Sequence, residues 1–112
     1  MNTSSWMYAN QTLEKSWDDQ TKLLVWQKGT VVANFDSARF RKDQCGAWMS
    51  FSDYGNRDSK FGWEVDHITP VSDGGSDALS NLRPLQWKNN ASKSDGRLYC
   101  KVVSMDKTNI ER

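Results

Sequence analysis

Residues 63–95 read WEVDHITPVSDGGSDALSNLRPLQWKNNASKSD, and within this run a two-residue alternation gives way to a glycine loop, a second extended piece and a helical segment. Trp63, Val65 and His67 alternate with Glu64, Asp66 and Ile68, the period of a strand, and the pattern ends at Pro70, which has no N–H for a ladder. The alternation sends Asp66 and His67 to opposite sides. Asp73-Gly74-Gly75 supplies backbone freedom for a loop. Residues 82–85 can make a short second strand, kept to an edge by Pro84, and residues 86–94 a helix stopped near Gly96. Residues 98–103 read as a final strand. Two strands and a helix packed into so short a span predict an α+β fold.

The remainder of the chain agrees with a single domain over 1–112. A chain of 112 residues can bury roughly two-thirds of its unfolded surface, and six Trp, four Phe and three Tyr supply core material although only 37% of residues are hydrophobic. Residues 1–40 read as an N-terminal helical extension. Its helix is expected over 11–28, with Leu13, Trp17, Leu24 and Val25 on one face and Gly29 at the end. Residues 31–35 are expected to be extended, Asp36 to cap a turn through Arg39, and residues 51–62 to form a loop.

Composition narrows the setting. The longest aliphatic or aromatic run, Leu23-Leu24-Val25-Trp26, is far too short to cross a bilayer, and the opening MNTSSWMYAN lacks a basic and apolar leader, so a cytoplasmic location without a membrane partner is expected. Cys45 and Cys100 have no C-x-x-C partner and are expected to be reduced. A net charge of +1 argues against a large sequence-independent grip on nucleic acid. Locally the balance differs: Arg83, Lys88, Lys93, Arg97 and Lys101 face a single acid, Asp95, and Arg39, Arg41 and Lys42 form a second cluster.

His67 is the only histidine, and the residues spaced around it suit phosphodiester cleavage. That reaction needs an activated water, stabilisation of charge in the transition state and help for the leaving oxygen. Imidazole titrates near neutral pH and can take the water proton, an effect worth roughly 100- to 10,000-fold. Asp66 offers a hard anionic oxygen and Asn90 an amide oxygen. Two such donors, completed by water and phosphate, suit Mg²⁺ or Mn²⁺ better than zinc, which would consume the sole histidine. Asn81 is expected to pin the loop through its amide. Lys93, one turn after Asn90, is expected to meet phosphate.

Asp66-His67, Asn81, Asn90 and Lys93 together resemble the HNH nuclease motif in its variant with asparagine at the third position, closely over residues 62–96. A looser likeness extends through VWQKG (25–29) and RKDQCGAW (41–48). The resemblance implies a ββα-metal core and divalent-metal-dependent cleavage of DNA, leaving 5′ phosphate and 3′ hydroxyl ends. It makes His67 the general base, Asp66 and Asn90 the metal ligands and Asn81 the loop-orienting residue. Two departures stand out. Gln86 and Asn89 occupy the positions of one zinc-binding cysteine pair of other members, so no structural zinc is expected. Lys88 stands where some members carry an acid that assists the metal.

A single such centre suggests nicking, with a homodimer or larger nuclease assembly needed to cut both strands. RNA stays open as a substrate. Two other readings remain at the level of sequence: a nucleic-acid-binding or protein-interaction module that keeps the fold without cutting, and a nuclease subunit that depends on a partner.

Overall fold

The computed structural model describes residues 16–94 and 96–112. Its elements run α1 (Asp19–Trp26), β1 (Phe40–Lys42), β2 (Trp48–Ser50), β3 (Trp63–His67), β4 (Leu82–Gln86), α2 (Trp87–Ala91), β5 (Val102–Met105) and β6 (Thr108–Glu111). Among the described residues the strands pair antiparallel in three two-stranded sheets, β1 with β2, β3 with β4 and β5 with β6. Helix and small antiparallel sheets are thus mixed, as the α+β expectation requires.

The helix α1 is shorter than periodicity predicts. Residues 11–15 lie outside the described residues, while Ser16 and Trp17 are not helical. The start is set by Asp18, whose extended backbone lets its carboxylate accept from the Thr21 N–H at 2.8 Å. Hydrogen bonding from the Thr21 side chain, and then from its backbone N–H, holds the exposed Asp18 carboxyl below its ordinary range. At the far end, Lys28 and Gly29 donate to the carbonyls three residues back, which tightens the last turn and closes the helix at Trp26. Val25 is buried as expected, but Trp26 is buried beside it and Leu24 is exposed, so the inward face is turned partly from the one expected. Residues 31–35 also depart from expectation. Thr30 alone bridges to Lys42, and the chain then turns through Asn34 at φ 72°. Asp36 does cap the next turn, accepting from the Ala38 N–H at 3.0 Å.

The hairpin of β3 and β4 holds the middle of the molecule. Its register pairs Trp63 with Gln86, Val65 with Pro84, Asp66 with Arg83 and His67 with Leu82. The ladder is tolerant of Pro84 because a two-stranded sheet leaves one side of each strand unpaired. β3 ends at His67, short of Pro70, although Ile68 N–H still reaches the Asn81 carbonyl at 2.8 Å. α2 follows β4 without a loop. The Gln86 side chain caps it, accepting from the N–H groups of Lys88 at 2.8 Å and Asn89 at 3.2 Å. It runs only to Ala91, shorter than the expected 86–94.

Trp63 and Leu82 are fully buried, and Val65 nearly so, in one cluster with Val25, Trp26 and Met49, against which Trp17, Phe51 and Tyr54 pack. The Trp63 ring lies 5.1 Å from that of Trp26 and 5.0 Å from that of Tyr54, distances at which aromatic pairs attract beyond their burial. Around this apolar centre the sheets are joined by buried polar side chains. Asp43, in the β1–β2 turn, accepts from the N–H groups of Cys45, Ala47 and Gln86 and from Asn89 Nδ2. Asn89 then bonds both backbone groups of Val102, and Asn109 both of Trp48. An asparagine offers one donor group and one acceptor, so each completes a ladder that the short strands leave open.

Two further findings correct the sequence reading. Cys45 and Cys100 are not reduced but joined in a disulfide, their Cα atoms 5.3 Å apart. Folding brings together residues 55 positions apart, a proximity no local spacing could display. The strand expected over 98–103 is found at Val102–Met105 and is not the last, since it forms a hairpin with Thr108–Glu111 through Asp106, which adopts φ 55°. Among the described residues no helix is long and apolar enough to cross a membrane.

Candidate functional site

An open cleft of about 720 Å³ runs along β3 and is closed on its far side by α2 and the loop after Pro70. Asp66, His67, Asn90 and Lys93 all line it, together with Glu64, Arg57, Asp77 and Trp17. The strand period predicts opposite directions for Asp66 and His67, yet four successive residues of β3 border this cleft, so it reaches past both faces of the strand. Asn81 is not among the lining residues. Arg83, Lys88, Arg39 and Arg41 also stand outside it.

His67 sits at the end of β3 with 19% of its side chain exposed. Its Nε2 lies 2.8 Å from Asp77 Oδ1, and its ring centroid 5.7 Å from that of Trp17. A carboxylate can only accept a hydrogen bond, so in the neutral ring this contact places the proton on Nε2 and leaves the lone pair on Nδ1. Asp77 is ten residues beyond His67, on the far side of the Gly-Gly turn, and the alternation of β3 carries no sign of it.

Asn81 acts on the loop from behind. Its Oδ1 accepts from the Thr69 N–H at 2.8 Å, and its Nδ2 donates to the carbonyls of Thr69 at 3.1 Å and Ser76 at 2.8 Å. Both ends of the loop are thereby tied to one amide. Gly75 is needed for the same closure: a Cβ there would stand 1.8 Å from the Thr69 carbonyl oxygen. The loop in turn presents Asp77 to His67.

Asp66 is only 3% exposed, and each of its oxygens has a cationic partner. Arg83 Nε donates to Oδ2 at 2.7 Å, and the Lys93 ammonium donates to Oδ1. A buried carboxylate is costly unless paired in this way. Arg83 has a signal in the sequence, since a hairpin that pairs His67 with Leu82 sets Arg83 directly opposite Asp66. Lys93 meets the carboxylate rather than open solvent. Glu64, buried at 3%, is held by Arg57 through two bonds, Nε to Oε2 at 2.7 Å and Nη2 to Oε1 at 2.9 Å. Asn90 Nδ2 donates to the same Oε1 at 2.8 Å. Neither Glu64 nor Arg57 stands out in the sequence, because what selects them is proximity across the hairpin and the preceding loop.

The basic residues of the upstream cluster serve other contacts. Arg41 donates to the carbonyls of Gln27, Gly29 and Ser37, and Lys42 lies over the Trp48 ring. Lys88 lies over the Trp87 ring and pairs with Glu111.

Among the described residues no cluster of three or more His, Cys, Asp or Glu side chains could hold a metal ion. The cleft is lined by hard oxygen donors, the carboxylates of Glu64, Asp66 and Asp77 and the Asn90 amide. A small divalent cation that keeps several waters fits a set of this kind, whereas a closed zinc site does not. The Lys93 ammonium on Asp66 Oδ1 marks that oxygen as a place where positive charge is favoured.

A family model described as HNH endonuclease matches residues 55–96. The match contains every cleft residue named above except Trp17. No curated protein and no solved structure matches the chain.

Proposed function

With residues 55–96 carrying an HNH endonuclease domain, we propose that this protein is a divalent-metal-dependent endonuclease that hydrolyses DNA phosphodiester bonds one strand at a time. The observation that supports this reading is the convergence of Asp66, His67, Asn90 and Lys93 on one open cleft. In this proposal β3, β4 and α2 form a ββα-metal core. His67 is the general base, taking the proton of the attacking water at Nδ1, while Asp77 holds the ring through Nε2 and stabilises the imidazolium that results. Asp66 and Asn90 hold the cation, Mg²⁺ or Mn²⁺. When bound, such an ion supplies Lewis acidity to the phosphate and to the leaving oxygen. Lys93 exchanges the Asp66 carboxylate for a phosphate oxygen of the substrate, and Asn81 keeps the loop that carries Asp77 in place.

One centre per chain accounts for a nick, and cutting both strands would take a second chain. The Cys45–Cys100 bond favours oxidising surroundings over the reducing cytoplasm expected from the sequence.

Supercoiled plasmid incubated with Mg²⁺, Mn²⁺ or a chelator tests the proposal. The wild type is expected to yield open circles only with metal, and His67→Ala to slow this roughly 100- to 10,000-fold. Asn90→Ala should require more metal. Nicking that persists in chelator, or in a folded His67→Ala variant at the wild-type rate, would refute it.

A further inference from the structure

Asn90 can serve a cation only through Oδ1, yet an asparagine amide presents oxygen and nitrogen from nearly the same shape, and something must choose between the two orientations. The residue that touches this amide is Glu64. Its Oε1 lies 2.8 Å from Asn90 Nδ2 and 2.9 Å from Arg57 Nη2, with Oε2 2.7 Å from Arg57 Nε. We propose that Glu64 is a positioning residue: its carboxylate, buried between Arg57 and Asn90, fixes the Asn90 amide with nitrogen inward, so that Oδ1 is turned away from Glu64 and toward the cleft. This rests on the endonuclease reading for its purpose but not for its geometry.

A carboxylate has acceptors and no donor, so only the NH₂ side of the amide can face it. Arg57 meets it from the other side with two parallel N–H bonds, a strong arrangement for a carboxylate. The pairing also explains why an acid is tolerated at a position 3% exposed. Replacement of Glu64 by glutamine would break the logic while preserving the shape. The single oxygen of the new side chain would be taken by Arg57, and its NH₂ would turn to Asn90, inviting the Asn90 amide to flip and present Nδ2 to the cation. An aspartate at position 90 has two equivalent oxygens and no orientation to choose. Combined with Glu64→Gln, it would accept from the new NH₂ with one oxygen and serve the cation with the other.

The prediction is therefore a reciprocal one. In ¹⁵N-labelled full-length protein, the Asn90 side-chain amide, identified by its disappearance in Asn90→Asp, should exchange slowly with solvent in the wild type and faster in Glu64→Gln. Mn²⁺ affinity, read by electron paramagnetic resonance, should weaken roughly 10- to 100-fold in Glu64→Gln. The same loss is expected in Asn90→Asp, where two carboxylates face each other, with recovery in the double variant. A residue that merely supported the fold would not be rescued by a change of its neighbour. Unchanged exchange and affinity in Glu64→Gln, or a double variant no better than either single one, overturns the proposal. Should Glu64→Gln fail to fold, the wild type decides: slow exchange of the Nδ2 proton facing Glu64 supports the assignment and rapid exchange overturns it. A wild type that neither binds Mn²⁺ nor nicks DNA sinks the endonuclease reading, while amide exchange still decides the role of Glu64.

Discussion

Replacing Cys45 and Cys100 together by serine removes a cross-link between residues 55 positions apart, and the closed loop contains β2, β3, β4, α2 and every cleft residue named above except Trp17. Chain-entropy reasoning assigns to such a loop a stabilisation of about 4 kcal/mol at 25 °C, because the unfolded chain regains the freedom that the bond denied it. Native disulfides of small domains typically contribute ~2–5 kcal/mol, so the figure lies inside the usual range. With a urea dependence of about 2 kcal/mol per molar, the unfolding midpoint should fall by about 2 M. Tryptophan fluorescence is the natural probe, since Trp26 and Trp63 are buried in the core beside the hairpin. The double variant and the wild type in strong reductant should show the same shift, and the native protein denatured without reductant should yield no free thiol. Two titratable thiols, or midpoints that agree within about 0.3 M, would refute the assignment of the bond and of its contribution.

Asp43 is a buried carboxylate held by N–H groups rather than by a cation, and burial pushes its carboxyl above the ordinary 3.8 despite hydrogen bonds from Asn89, Gln86, Ala47 and Cys45. The native state thus holds this proton more tightly than the unfolded chain, so its stabilising share is complete below 3.8 and is lost as pH rises through the higher folded value. Asp43→Asn should remove that slope from urea midpoints measured across this range. It should also cost roughly 2–4 kcal/mol at neutral pH by setting an NH₂ against the donors of Gln86 and Asn89. Gly75→Ala places a Cβ 1.8 Å from the Thr69 oxygen, and is expected to cost about 1–3 kcal/mol in the same melts. Because that loop carries Asp77, nicking should fall further than the stability loss explains; an unaltered nicking rate would show that the loop does not support His67.

The parts of the fold that are legible in the sequence are those whose cause is local. The alternation through Trp63, Val65 and His67, the turn at the two glycines and the helix after Gln86 each follow from neighbours within a few residues, and each appears in the expected order. The ends are less faithful. Residues 86–94 and 98–103 read longer or earlier than the elements found, because the Gln86 cap and the pairing of β5 with β6 are made by particular side chains and partners rather than by periodicity. In α1 Val25 is buried as periodicity expects, but Trp26 rather than Leu24 joins it, drawn inward by Met49 and Trp63, which lie far along the chain. The β1–β2 hairpin escapes a local reading for a similar reason: its turn is organised by Asp43, whose other oxygen is held by Gln86 and Asn89.

By itself the sequence determined that His67 would stand at the end of a strand, Asn81 behind a glycine loop and Asn90 on a helix after the second strand. Those positions depend on backbone preferences that act over one or two turns. Only the tertiary structure decided which partners those side chains would meet: Asp77 on His67, Arg83 and Lys93 on Asp66, Glu64 on Asn90 with Arg57 on Glu64, and Cys45 on Cys100. Electrostatic and hydrogen-bond partners are chosen by distance in space and by burial, and residues far apart in the chain acquire both only when it closes on itself.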